Sequence, residues 1–86
     1  MLSIIEWKRT TTQYVAILQS MGNFEPGTIR PLRKRGHETV LGGTLRGTTN
    51  TDWYALAYDR TELEFDEAKD RARQALDEYR AGGRIA

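Results

Sequence analysis

The chain has 86 residues, with thirteen Lys and Arg against twelve Asp and Glu, 38% hydrophobic residues and no cysteine. One domain over residues 1–86 is expected, burying roughly 60% of its unfolded surface, and the absent cysteines exclude disulfides, thiol chemistry and Cys-based zinc sites. No apolar run approaches the roughly 20 residues that cross a bilayer, and Met1-Leu2-Ser3-Ile4-Ile5-Glu6-Trp7 has neither a basic leader nor a long apolar stretch, so a soluble, cytoplasmic protein without membrane contact is expected.

Leu2 to Arg9 reads as a strand. Residues 12–21 fit two readings. Tyr14, Ile17, Leu18 and Met21 have helical spacing, with Thr12 as N-cap and Gly22 as stop. Tyr14-Val15-Ala16-Ile17-Leu18 is equally good strand material, with Thr10-Thr11-Thr12 as the bend of a hairpin. The strand is favoured, because a helix this short is marginal and the β-branched content is high. Residues 21–37 contain both prolines and are expected to form a long loop, with at most a brief extended piece at Thr28-Ile29-Arg30.

Glu38 to Arg46 and Asp52 to Asp59 read as a hairpin around the turn-forming residues 47–51. In the second strand Trp53, Ala55 and Ala57 alternate with the bulkier Tyr54, Leu56 and Tyr58. The bulkier set is the better core face, which leaves Trp53 on the opposite one. Gly42-Gly43 suggests a bulge or a close backbone approach. From Phe65 onward, Ala68, Ala72, Ala75, Leu76 and Tyr79 make one apolar helical stripe. Thr61-Glu62-Leu63-Glu64 fits a capping box, with Asp66 as a rival N-cap, and Gly82-Gly83 ends the helix before a loose tail over residues 82–86. The expected fold is α+β, an antiparallel sheet of three or four strands with a long C-terminal α-helix packed on one face.

The run Glu67-Ala68-Lys69-Asp70-Arg71-Ala72-Arg73-Gln74-Ala75-Leu76 bears on the other reading of residues 12–21. With a helix there, the order helix, strands, helix resembles double-stranded-RNA-binding domains, and this run is similar to their last helix in its Ala-Lys and Ala-Leu spacing. Asp66-Glu67 stands where that helix carries a lysine pair, so the family is not assigned.

Charge is distributed unevenly: residues 1–50 carry a net +4 and residues 51–86 a net −3. Four of the thirteen cations, Arg30, Arg33, Lys34 and Arg35, fall within residues 30–37 beside His37, and Arg46 extends the patch. Clustered cations on an exposed segment suit phosphate contact or an acidic protein surface, although short basic runs are often only solvated loops. Trp7, Trp53, Tyr54 and Tyr58 are candidates for base stacking, but core residues first, and Trp53 is the candidate interface aromatic.

His37 is the only histidine, and no Ser or Cys nucleophile stands in a recognisable context, so no catalytic residue is assigned. The acidic run 59–70 lacks the spacing of a calcium loop, and the Gly-Thr runs lack the Lys of a phosphate loop. No metal or other cofactor is expected. The function expected is that of a small non-catalytic protein contacting a nucleic-acid backbone, without sequence preference, through Arg30, Arg33, Lys34, Arg35, His37 and Arg46. Two rivals stand beside it. One is a protein-binding inhibitor or adaptor of the kind that phages and other mobile elements encode, for example against a host defence complex. The other is a homo-oligomeric structural subunit.

Overall fold

A computed structural model describes residues 3–19, 26–45, 53–83 and 85, without the side chains of residues 19, 26–28, 44, 45 and 53. The elements are β1 (Ser3–Arg9), β2 (Gln13–Gln19), β3 (Pro26–Arg35), β4 (Glu38–Leu45), β5 (Trp53–Asp59) and α1 (Phe65–Arg80). The five strands form one antiparallel sheet in the order β1-β2-β5-β4-β3. The expected α+β class holds, but the sheet has five strands rather than three or four.

The extra strand is β3, which occupies most of the expected loop. Turn residues misled the sequence reading because β3 is an edge strand, paired on one side only, with β4. A proline at an edge can turn its missing N–H side outward without breaking a ladder. Two register shifts, between Pro26 and Ile29 and between Pro31 and Arg33, give β3 extra residues relative to β4. The bulges therefore lie opposite β4, while pairing runs unbroken through Gly42 and Gly43 on both sides.

The favoured strand reading of residues 12–21 is borne out by β2, which removes the helix–strands–helix order. Thr10 makes the bend. Its N–H donates to the Gln13 carbonyl at 2.9 Å, and its hydroxyl oxygen accepts from the Gln13 N–H at 2.9 Å. The β4–β5 pairing matches the expected hairpin; residues 46–52 lie outside the described residues.

Alternation gives β5 a bulky face and a small one, as expected. Leu56 and Tyr58 are fully buried in the main core with Tyr14, Ala16, Leu18 and Val40, and Tyr54 packs against them. On the opposite face, Ala55 and Ile17 form a smaller buried cluster, flanked by Val15 and Leu41. The helix closes the first face with its small stripe: Ala68, Ala72, Ala75, Leu76 and Tyr79 are buried, and Phe65 packs edge-on against Trp7 with ring centroids 5.5 Å apart. The small helix residues Ala68, Ala72 and Ala75 share one cluster with the larger Tyr14, Leu18, Leu56 and Tyr58 of the sheet, so small and large side chains pack together.

At sixteen residues, α1 is shorter than the long helix expected. The expected capping box does not form: Glu64 is the N-cap without a side-chain cap bond, and the Thr61 hydroxyl donates instead to Asp59 Oδ1 at 2.7 Å. The other end is a Schellman motif, as the two glycines suggest. Gly83 N–H donates to Glu78 O at 3.0 Å, Gly82 N–H donates to Tyr79 O at 3.2 Å, and Gly82 has φ +104°. Ile85, in the expected loose tail, packs against the main core.

Candidate functional site

The β3–β4 hairpin turns over Gly36 and His37. Gly36 has φ +59°, which suits the first central position of a type II′ turn and strains any L side chain. The basic residues therefore line a strand edge leading into a tight turn. Period two divides them between faces. Arg33 and Arg35 pair with Val40 and Glu38 on the helix side, whereas Lys34 pairs with Thr39 on the other side. Arg30 is exposed farther along β3, opposite Gly42. Arg46 lies outside the described residues. Trp53 begins β5 with its backbone paired to Gly43, and its side chain is outside the description. The remaining aromatic candidates belong to the fold, since Tyr58 is in the main core and Trp7 and Tyr54 pack against it.

Acidic residues flanking and within α1 meet the hairpin. Arg35 Nη2 lies 2.8 Å from Glu78 Oε2, and His37 Nδ1 lies 2.9 Å from Glu62 Oε2. Both contacts are exposed, a setting in which an ion pair such as Arg35–Glu78 contributes about 0–1 kcal/mol. They fasten the hairpin loosely to the helix and to the turn before it, and Glu78 neutralises part of the hairpin's charge. Between hairpin and helix runs a cleft of about 210 Å³, lined by Arg35, Gly36, His37, Glu38, Arg71, Gln74, Ala75 and Glu78.

Beneath this surface sits a phenol–carboxylate pair. The Tyr58 hydroxyl donates to Glu38 Oε1 at 2.9 Å. Burial holds the Glu38 carboxyl above its usual range; the Tyr58 bond, Arg35 and Arg71 pull it back, and Glu78 pushes it up. Burial and the Glu38 charge push the Tyr58 phenol well above its ordinary range. Tyr79 is raised by burial and by Glu38, and its buried hydroxyl has no hydrogen-bond partner among the described residues. Among those residues no group of three or more His, Cys, Asp and Glu could hold a metal, and no helix is long and apolar enough to cross a membrane.

Sequence reasoning missed Arg71, Gln74 and Glu78. Arg71, Gln74 and Glu78 are spaced i, i+3 and i+7, one stripe beside the apolar one. That periodicity was legible; its neighbour, a hairpin more than thirty residues earlier, was not. The fold and site together define a small two-layer α+β domain with a basic edge strand tied to Glu78 of its helix. No protein-family model matches the chain, and no curated protein or solved structure shows significant similarity to it.

Proposed function

We propose that this is a small non-catalytic binding protein whose β3 edge contacts a nucleic-acid backbone. The observation that carries the reading is the course of Arg30, Arg33, Lys34 and Arg35 along a sheet edge beyond which no further strand pairs among the described residues. Consecutive strand cations point to alternate faces, so they can straddle a line of phosphates. They cannot jointly hold the planar bidentate poses that discriminate bases. The Arg35–Glu78 ion pair leaves this capacity intact, because an exposed pair this weak yields to a phosphate.

Binding to single- and double-stranded oligonucleotides of random sequence, measured at two salt concentrations, tests the proposal. Little sequence preference is expected, with a log–log salt slope of about −2 to −3 if three cations contact phosphates. Changing Arg33, Lys34 and Arg35 together to Ala should abolish binding and leave the melting temperature nearly unchanged. Absence of binding at low salt overturns the reading. It would favour the protein-binding inhibitor or adaptor instead, for which the carboxylates of Glu62 and Glu78, interleaved with the cations, already speak.

A further inference from the structure

Backbone contact along β3 leaves the cleft beside it unused. Its volume of about 210 Å³ leaves room for a phosphate group. The geometry points to a subsite for one phosphate group in this cleft, held between Arg35 and Arg71, with Glu78 as its internal competitor. The inference rests on the polyanion reading and adds to it a helix residue and a built-in rival ligand.

Three observations carry it. Two arginines line the cleft from different elements, Arg35 from the end of β3 and Arg71 from α1, together with Gln74 of α1. The Glu78 carboxylate already occupies the Arg35 guanidinium, 2.8 Å from Nη2, the distance at which a phosphate oxygen binds the same donor. The two side chains are 48% and 53% exposed, so Glu78 can turn into solvent when a stronger anion arrives. Glu38 also lines the cleft, but its carboxylate accepts from Tyr58. Both arginines also draw on the Glu38 carboxyl, so it opposes an anion in the cleft alongside Glu78. Glu62 engages His37 and does not line the cleft.

The test uses the whole chain, a labelled random-sequence oligonucleotide at low salt, and inorganic pyrophosphate as competitor. Three variants are compared with the wild type: Glu78→Gln, Arg71→Ala and, as a control for net charge, Glu67→Gln, exposed on α1 outside the cleft. Circular dichroism melts confirm that each is folded. Removing an exposed competitor of this kind should tighten oligonucleotide binding by about three- to fivefold, and E67Q should have a clearly smaller effect. R71A should weaken binding, and pyrophosphate should compete better against E78Q than against the wild type. Equal effects of E78Q and E67Q overturn the subsite and leave backbone binding by β3 standing. No binding by the wild type at low salt refutes the subsite and the polyanion reading together.

Discussion

Replacing Tyr58 with Phe removes one hydroxyl and keeps the ring that fills the centre of the core. Tyr58 is fully buried, and its ring centroid stays 6.4 Å from that of Trp7, so the packing term is conserved. What is lost is the 2.9 Å bond to Glu38. A hydrogen bond to a charged group contributes about 1.5–3 kcal/mol. Glu38 is only half-buried, so water recovers part of that, and the expected loss is about 1–2 kcal/mol. In a domain this size that is roughly 5–15 °C in Tm, against a total stability on the order of 4–13 kcal/mol. The assay is urea and thermal unfolding of wild type, Y58F, E38Q and the double variant at neutral and acidic pH. The bond favours the charged carboxylate, so the coupling energy should be largest at neutral pH and shrink as Glu38 is protonated. A Y58F melt superimposable on wild type at neutral pH, with zero coupling, would refute the reasoning.

Three further outcomes follow from the same geometry. Ala72→Asp places a carboxylate in the fully buried helix–sheet interface and should unfold the domain; a wild-type circular dichroism melt would show the stripe misassigned. Gly83→Val should destabilise the helix end by roughly 1–3 kcal/mol, because a Cβ there meets Glu78 O at 2.9 Å, and an unchanged urea midpoint would contradict this. Glu38 titrates above its unfolded value of 4.5, so its proton stabilises the fold fully below that value, and the gain is lost as pH rises through the folded pKa. Stability of wild type relative to E38Q should therefore fall as pH rises across that window, and a rise would reverse the sign of the burial effect.

Elements whose local signals agree were legible in the sequence. The alternation of β5, the hairpin bend at Thr10 and the apolar stripe of α1 each point to one structure, and each formed. The strand β3 was hidden because Pro26, Pro31 and the glycines are turn residues in any local window, and only the edge position makes them compatible with pairing. Thr61 failed as a cap because Asp59, two residues before it, captured its N–H and hydroxyl. The cations of the site were visible as a cluster. Their division between two faces depends on β3 being a strand, and their partners Glu62 and Glu78 depend on how α1 lies across the sheet. Neither is a local property of residues 30–37.

Backbone chemical shifts of the isotopically labelled protein, titrated at low salt with a random-sequence single-stranded oligonucleotide, test the central claim most directly. The amides of Arg30, Arg33, Lys34, Arg35, Gly36 and His37 should shift together with Arg71 across α1, while β1, at the far edge of the sheet, stays unmoved. Raising the salt should reverse the changes. Shifts confined to β1, or none anywhere, would contradict the account.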